Sequence, residues 1–317
     1  MTEERLRFAG VELGGTKCVC LLGSGPDDLI DQALLPTGTH ADATLRQIEK
    51  VLCGWEARHG AISAVGLASF GPVDLRPKSP RFGHIVSTVK VGWSGIDIMG
   101  RLGGARGIPI GFNTDVVAAA LAEARWGHAR GLADFAYVTV GTGVGVGLIV
   151  AGQPTFGCNH TELGHIRIAR AAADRWPGLC PFHGDCVEGL AAGPAIAART
   201  GTPGERIADD DPVWELVAHA LAQLIQALLL GTAPQRVLIG GGVALGRPQL
   251  FALVRRHLLE SVNGYLNLEE LTGGLAAYIV APALGALAGP LGALALAADA
   301  YAQARGSAQE RPDGASR

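Results

Sequence analysis

Four potential metal ligands lie close together near the middle of the chain and constrain its fold more than any other feature. Three of them, Cys180, His183 and Cys186, follow the pattern C-x-x-H-x-x-C, and His165 precedes them. Thiolates and imidazoles at such spacing are typical of a closed tetrahedral zinc site. The sequence therefore predicts a zinc-binding knot over residues 160–189, with the rest of the chain arranged around it.

The length and composition of the chain indicate a globular protein with two lobes. At 317 residues the chain is long for a single core, and 48% of its residues are hydrophobic. Its formal net charge of -3 provides no basic surface that would attract nucleic acid or a membrane. We therefore expect neither of these partners.

The cysteines indicate a reducing compartment. The N-terminal sequence MTEERLRF is charged rather than apolar, unlike a secretory signal. We expect a cytoplasmic protein whose cysteines are free or metal-bound rather than paired in disulfides. The six cysteines are Cys18, Cys20, Cys53, Cys158, Cys180 and Cys186.

An uncharged apolar run from Leu275 to Ala298 is long enough to cross a bilayer. Proline and glycine residues interrupt it, and it is rich in alanine rather than in leucine and isoleucine. We therefore predict the strand YIVAP followed by a buried helix, rather than a membrane span.

Two glycine-rich hairpins are predicted, and each can present backbone N–H groups to an anion. The first has Gly14-Gly15 at its turn, and the second contains GTGVGVG from Gly141 onward. The second lies between two strands with G-x-G-x-G-x-G spacing, which excludes the dinucleotide fingerprint, and neither hairpin is a P-loop. The alternatives are a plain turn in the first and a glycine-rich, bulged strand in the second.

Polar or glycine-rich turns also follow two later strands. Gly240–Gly242 come after the strand RVLIG, at the end of the strand where α/β proteins bind ligands. Asn113, Thr114 and Asp115 open an alanine-rich helix, and any of the three could be its N-cap. Alternatively, Asp115 points into a cleft as a carboxylate base, and the local sequence leaves both possibilities open.

The order and spacing of these motifs resemble the ROK (repressor, open reading frame, kinase) family of sugar kinases over about residues 8–302. ELGGTK resembles the first phosphate hairpin, GTGVGVG the second, and LIGGGV the adenosine-side turn; NHTELGH with CPFHGDCVEG resembles the family signature with its zinc knot. The resemblance implies an α/β, actin-like ATPase (ribonuclease H-like) fold of two lobes with a cleft between them. Residues 1–114 with a helix at about 286–303 would form the smaller lobe and residues 115–285 the larger one. Residues 304–317 are polar and expected to be disordered.

Within the family, ASFGPVDL, FGHIVSTVKVGW and CPFHGDC resemble the bacterial fructokinase branch. That branch implies transfer of the ATP γ-phosphate to the 6-hydroxyl of D-fructose, with Asp115 as general base. Glucokinases typically carry a cysteine in the role of His183. Glu12, Val89 and Val117 stand where many relatives have Asp, Pro and Asn. Glucokinase, mannokinase and N-acetylmannosamine kinase activities therefore stay open as alternatives.

The resemblance also implies the remaining roles, and a homodimer. One ring nitrogen of His165 would bind zinc and leave the other for the sugar, while Mg²⁺ would bridge the ATP phosphates. The implied sugar-binding residues are Gly71, Asn113, Thr114, Glu162, His165 and Glu188. The implied ATP-binding residues are Gly14, Gly15, Thr16, Lys17, Gly141, Thr142, Gly143, Gly240, Gly241 and Gly242. The implied zinc ligands are His165, Cys180, His183 and Cys186.

A sugar-responsive transcriptional repressor is the alternative from another functional class, because the family includes such proteins. These repressors carry a DNA-binding helix-turn-helix of several dozen residues ahead of the first hairpin. In this sequence the first hairpin begins near Phe8, and its glycines are intact. The sequence therefore favours a kinase.

Overall fold

A computed structural model of the chain describes residues 6–104, 106–172 and 174–309. The strands are β1 Phe8–Leu13, β2 Lys17–Gly25, β3 Asp28–Pro36, β4 Ala64–Ser69, β5 Ile110–Thr114, β6 Phe135–Val140, β7 Val144–Val150, β8 Gln153–Pro154, β9 Arg236–Gly240 and β10 Ile279–Val280. The α-helices are α1 Ala41–His59, α2 Asp115–Trp126, α3 Val187–Ala191, α4 Gly193–Thr200, α5 Val213–Thr232, α6 Gly242–Leu245, α7 Gln249–Val262, α8 Leu268–Thr272, α9 Leu275–Tyr278 and α10 Ala288–Gln309.

The chain forms two compact units. The first contains the residues up to Ala122 together with those from Gly289 onward, and the second is Glu123–Ala288. The boundary expected at residues 114 and 115 falls at the beginning of α2, whereas the division of the structure lies inside that helix. Each unit contains one mixed five-stranded sheet with helices, which confirms the α/β class.

The sheet of the first unit has the strand order β3-β2-β1-β4-β5. The strands β1, β2 and β3 are antiparallel neighbours, whereas β4 and β5 run parallel to β1. Leu45, Ile48 and Leu52 recur at helical spacing on α1 and are fully buried. They pack in one core with Val11 and Leu67 of the sheet. This amphipathic helix therefore covers one face of the sheet.

A row of glycines lets α10 lie directly against the opposite face. Gly10, Gly66 and Gly111 are register partners on three adjacent strands. A β-carbon on Gly66 would lie 1.8 Å from the carbonyl oxygen of Ala293, and one on Gly111 2.2 Å from that of Leu296. Only glycine permits this approach of a helix backbone to a sheet. The predicted buried helix after YIVAP thus belongs to the core of the first unit.

The sheet of the second unit has the order β10-β9-β6-β7-β8. The strands β6, β9 and β10 are parallel, and β7 and β8 are antiparallel neighbours of β6 and β7. The buried face of α5, which includes Val217, Leu221 and Ile225, packs in one core with Val138 and Val146 of the sheet. The two sheets therefore share one connectivity, a three-stranded meander followed by two parallel strands, although the sequence shows no internal repeat.

Two helical segments are long and apolar enough, by length and composition, to cross a membrane: Val213–Thr232 and Gly285–Gly306. Their apolar windows are 61% and 56% buried inside the protein, as in the core helices of soluble proteins. The helix α10 continues to Gln309, so the segment expected to be disordered from residue 304 begins as helix. The remaining residues, 310–317, lie outside the described part of the chain.

Candidate active site

The turn of the first hairpin, between β1 and β2, has its carbonyl oxygens engaged by the protein. The carbonyl of Gly14 accepts the Thr37 hydroxyl at 2.9 Å, and that of Thr16 accepts the Thr37 backbone N–H at 2.9 Å. The carbonyl of Gly15 accepts the ammonium of Lys90 at 2.7 Å. The N–H of Gly14 donates to the carbonyl of Lys17 at 3.0 Å, so the turn can offer the N–H groups of Gly15 and Thr16 to an anion.

Lys90 is a site residue that the sequence did not reveal. It lies between Val89 and Val91, which are exposed, yet its ammonium also reaches the carbonyl of Thr37 at 3.2 Å. The buried indole of Trp93 donates to the carbonyl of Gly38 at 2.8 Å. These bonds fasten a long connection to the first hairpin, and the signal for them, one lysine among loop residues, is too weak to recognise from sequence.

The beginning of α2 resolves which residue caps that helix. The hydroxyl of Thr114 accepts the N–H of Val117 at 3.3 Å, which is N-cap geometry. Thr114 is buried, so its side chain is positioned for capping. Asp115 is the first helical residue, and its Oδ1 accepts the N–H of Val116 at 2.9 Å. The carboxylate of Asp115 therefore lies at a helix N-terminus, where negative charge is stabilised.

Glu12 is a second carboxyl group beside Asp115 in the first unit. The pKa of Glu12 is raised to about 8, chiefly by burial and also by the charge of Asp115, while the charge of Lys17 opposes the shift. The strand before the first hairpin thus places a carboxyl group next to the predicted base.

The second hairpin, between β6 and β7, has a tight turn that two later segments hold in place. The N–H of Gly141 donates to the carbonyl of Gly143 at 2.9 Å, which closes the turn. The N–H of Gly193 donates to the carbonyl of Gly141 at 2.8 Å. The N–H of Val144 donates to Oε2 of Glu188 at 3.1 Å.

The segment that holds this turn, residues 187–200, is not one continuous helix. The structure has two helices, α3 and α4, separated at Ala192, whose ψ of 154° is extended. The physical cause is Pro194 in the first turn of α4, because proline lacks an N–H and clashes with the preceding helical turn. The break frees the N–H of Gly193 for the hairpin.

The third glycine turn lies beside the second hairpin. Gly241 has a φ of 86°, and a β-carbon there would lie 2.4 Å from the carbonyl oxygen of Val140, so the position requires glycine. A β-carbon on Gly141 would lie 3.8 Å from the backbone nitrogen of Gly242. The structure therefore brings the two predicted nucleotide-binding turns of the second unit together.

The four predicted metal ligands converge in the second unit. Their ligand atoms all lie within 4.8 Å of one another. Nδ1 of His165 lies 3.7 Å from Sγ of Cys180 and 3.6 Å from Sγ of Cys186, and Nδ1 of His183 lies 3.6 Å from Sγ of Cys180. This arrangement can hold one metal ion between two sulfurs and two nitrogens.

Two predicted sugar-binding carboxylates of the second unit, those of Glu162 and Glu188, lie near the imidazole of His165. Its Nε2 lies 3.8 Å from Oε1 of Glu188. Burial raises the pKa of Glu162, the charge of His165 lowers it and that of Glu188 raises it, so the three groups are neighbours. His160, which the sequence did not single out, is 5% exposed at its side chain and has Nδ1 3.5 Å from Oε1 of Glu162.

The predicted site residues divide between the two units. The first unit holds Gly14–Lys17, Gly71, which follows β4, and Asn113–Asp115. The second unit holds Gly141–Gly143, Glu162, His165, Cys180, His183, Cys186, Glu188 and Gly240–Gly242. Each unit therefore contributes one glycine turn and at least one predicted site carboxylate: Gly14–Thr16 and Asp115 in the first unit, and Gly141–Gly143 and Glu188 in the second.

The chain is similar to known proteins over almost its whole length. A family model described as the ROK family matches residues 8–300. A putative fructokinase of Bacillus subtilis (strain 168) is 39% identical over 96% of this chain and 99% of its own length. A fructokinase of Pediococcus pentosaceus is 37% identical, with 92% and 97% covered. The crystal structure of a ROK hexokinase from Thermus thermophilus superposes with a TM-score of 0.73 at 26% identity and covers 95% of this chain and 100% of that one.

Proposed function

Because the chain belongs to the ROK family, we propose that it is an ATP-dependent fructokinase that phosphorylates the 6-hydroxyl of D-fructose. The observation that carries this proposal is the similarity to fructokinases along the whole chain, at 39% and 37% identity. Family membership and the ROK hexokinase neighbour also confirm the predicted actin-like ATPase fold. Glucokinase, mannokinase and N-acetylmannosamine kinase activities are alternatives within the same chemistry.

Asp115 is the proposed general base. Phosphoryl transfer requires a positioned hydroxyl, a neutralised triphosphate and in-line geometry. The carboxylate of Asp115, ionised at the N-terminus of α2, accepts the proton of the sugar's primary hydroxyl as that oxygen attacks the γ-phosphorus. Thr114 supports this role by capping the helix, which fixes the backbone that carries the carboxylate.

Backbone N–H groups of the glycine turns are proposed to bind the nucleotide. Gly14–Thr16 in the first unit and Gly141–Gly143 in the second form the turns that bind the phosphates. The N–H groups of Gly15, Thr16, Thr142 and Gly143 donate to phosphate oxygens, and Lys17 adds positive charge. Gly240–Gly242 lie on the adenosine side. Mg²⁺ bound with ATP would neutralise part of the phosphate charge. The N–H groups of Gly14 and Gly141 donate within their own turns, to the carbonyls of Lys17 and Gly143, and this closes each turn around the N–H groups that are proposed to meet the phosphates.

Glu162, Glu188 and His165 are proposed to bind the remaining sugar hydroxyls, together with Asn113 and Gly71. A sugar presents paired donors and acceptors, which carboxylates and an imidazole can match. Oδ1 of Asn113 accepts the N–H of Thr114 at 2.8 Å, which leaves its NH₂ group to donate. The proximity of Glu162, His165 and Glu188 in the second unit supports this assignment.

We also propose that the four-ligand cluster binds a structural Zn²⁺. Tetrahedral zinc with Zn–S of about 2.3 Å and Zn–N of about 2.0 Å separates sulfur from nitrogen by about 3.5 Å. The sulfur–nitrogen separations of 3.6 and 3.7 Å fit this geometry. The metal would fix the His165 ring through Nδ1, so that Nε2 faces Glu188 and the sugar.

The proposed setting is a cytoplasmic homodimer that acts on a small sugar and ATP. No nucleic acid or membrane partner is proposed, because the net charge of -3 offers no basic surface. Size-exclusion chromatography with light scattering measures the oligomeric state directly.

The test of the proposed function is a coupled ADP-release assay with fructose, glucose, mannose and N-acetylmannosamine. Fructose should have the highest kcat/KM. Asp115→Asn should lower kcat by about 10²–10⁴-fold while fructose still binds, because only proton transfer is removed. A higher kcat/KM for another hexose would favour the corresponding alternative, and no turnover of any hexose would contradict the proposal.

A further inference from the structure

The glycine turn of the second hairpin is held at both ends by the segment that follows the metal ligands. At one end, the N–H of Gly193 at the beginning of α4 donates to the carbonyl of Gly141. At the other end, the N–H of Val144 donates to Oε2 of Glu188 on α3. The conformation of the turn therefore depends on two short helices as well as on its own strands.

Glu188 lies between this turn and the metal cluster, and its two carboxylate oxygens face different groups. Oε2 accepts the N–H of Val144 at 3.1 Å, whereas Oε1 lies 3.8 Å from Nε2 of His165. The helix of Glu188 is capped by the metal ligand Cys186, whose sulfur accepts the N–H of Gly189 at 3.4 Å. A continuous series of contacts therefore joins the predicted metal ligands His165 and Cys186, through Glu188 and its helix, to the second hairpin.

The glycines of the turn differ in how they approach Glu188. A β-carbon on Gly143 would lie 2.6 Å from Oε2 of Glu188, so any side chain there must displace the carboxylate. A β-carbon on Gly141 would meet nothing nearer than the backbone nitrogen of Gly242 at 3.8 Å, which is an ordinary contact. One turn therefore offers a substitution that moves Glu188 and a matched one that does not.

We propose that Glu188 is also a positioning residue that couples the sugar site to the phosphate hairpin. This inference rests on the proposed function, which assigns the hairpin to phosphate and Glu188 to the sugar. One oxygen fixes the turn and the other stays beside His165, so displacement of the turn moves the sugar-binding carboxylate, and the reverse also holds. Each substrate, by ordering Glu188, favours binding of the other.

The first experiment measures fructose affinity by calorimetry in the absence of nucleotide. Gly143→Ala should weaken fructose binding about tenfold, equivalent to about 1.4 kcal/mol, because its methyl group displaces Glu188. Gly141→Ala is the matched control in the same turn and should leave the fructose Kd unchanged. Equal fructose affinities for Gly143→Ala and the unsubstituted protein would overturn the proposal.

A double substitution tests whether the methyl group acts through Glu188. Glu188→Ala alone should weaken fructose binding, and adding Gly143→Ala should cause no further loss, because the displaced carboxylate is already absent. Additive losses would overturn the proposal, since they would place the effect of the methyl group elsewhere. Thermal unfolding of every variant establishes that each one is folded.

The second experiment measures the affinity for a non-hydrolysable ATP analogue in the absence of sugar. Glu188→Ala should weaken binding roughly tenfold because the N–H of Val144 loses its acceptor and the turn loosens. Glu188→Gln keeps one acceptor oxygen and should retain most of the affinity. Glu162→Ala is the matched control from the sugar-binding pair and should bind the analogue normally. An unchanged affinity in Glu188→Ala would overturn the proposal.

The two proposals fail separately. Absence of turnover with every hexose would reject the fructokinase assignment, but the nucleotide experiment contains no sugar and still tests the link from Glu188 to the hairpin. Fructose turnover by the unsubstituted protein would support the fructokinase assignment. If Glu188→Ala then bound the ATP analogue with unchanged affinity, the coupling would be rejected and the fructokinase assignment would stay in place.

Discussion

The carboxyl group of Glu12 fills the space in which a β-carbon on Gly289 would lie, 1.9 Å from Oε1 of Glu12. An aspartate at position 12 would be shorter by one methylene group. The absence of a side chain on Gly289, in the first turn of α10, therefore makes room for the longer carboxylate beside Asp115.

This relationship predicts a specific rescue. Gly289→Ala should lower the free energy of unfolding by about 1–3 kcal/mol, because the methyl group overpacks against Glu12. In a Glu12→Asp background the same substitution should cost much less, since the shorter carboxyl group withdraws from Gly289. Denaturant unfolding of the four proteins of this double-mutant cycle measures the difference. Strict additivity would show that the two residues do not compete for space.

The raised pKa of Glu12 predicts how stability depends on pH. Its folded-state pKa of about 8 exceeds the ordinary value of 4.5, so between these pH values the folded protein keeps a proton that the unfolded chain has lost. This contribution to stability is complete below about pH 4.5 and is lost as pH rises to about 8, at no more than about 1.4 kcal/mol per pH unit. Glu12→Gln should flatten the slope in this window, which unfolding curves at several pH values can measure. Identical slopes in both proteins would contradict the prediction.

We expect loss of one cysteine of the predicted metal site to remove zinc and also to weaken sugar binding. Cys180→Ser and Cys186→Ser should each lose zinc and weaken fructose binding, because His165 is no longer fixed through Nδ1. Elemental analysis and calorimetry measure the two quantities. Cys158→Ser is the matched control, since Cys158 is exposed and outside the cluster. Full zinc retention in both cluster variants would rule out this ligand set.

We expect Lys90 to affect nucleotide binding, although it lies outside the glycine motifs. Lys90→Met keeps the apolar stem but removes the ammonium that holds the carbonyls of Gly15 and Thr37. Loss of these bonds should loosen the first turn and weaken ATP analogue binding roughly tenfold. The exposed Lys78 supplies the control, Lys78→Met, which should bind normally. Equal affinity in both variants would exclude a role for Lys90 in the turn.

We expect substitution of Glu123 to cause a large loss of stability in the second unit. Its buried carboxylate accepts backbone N–H groups from His128 at 2.7 Å, Ala283 at 3.1 Å and Leu284 at 2.8 Å. Glu123→Ala should lower the free energy of unfolding by about 3 kcal/mol, because three partly buried backbone donors lose their acceptor. Glu123→Gln, which keeps one oxygen, should cost less. A change below about 0.5 kcal/mol, as at an ordinary surface site, would contradict this interpretation.

Features encoded by local spacing could be predicted from the sequence. Both glycine hairpins lie where expected, because turn chemistry and strand alternation are properties of a few neighbouring residues. The four predicted metal ligands lie close together, because the short spacing of Cys180, His183 and Cys186 itself limits how far apart their side chains can be. The ROK family and its fold followed from the order of these motifs and are confirmed.

What only the tertiary structure decided depends on residues far apart in the chain. Lys90 and Gly15 are 75 positions apart, and Glu188 and Val144 are 44 positions apart. No local pattern distinguishes such a lysine or glutamate from a solvated one, since its partner is a backbone group that any residue carries. The break at Ala192 likewise places a backbone N–H where a distant turn needs it. The sequence by itself therefore determined the fold and the types of group at the site, whereas long-range packing decided which of those groups hold one another in place.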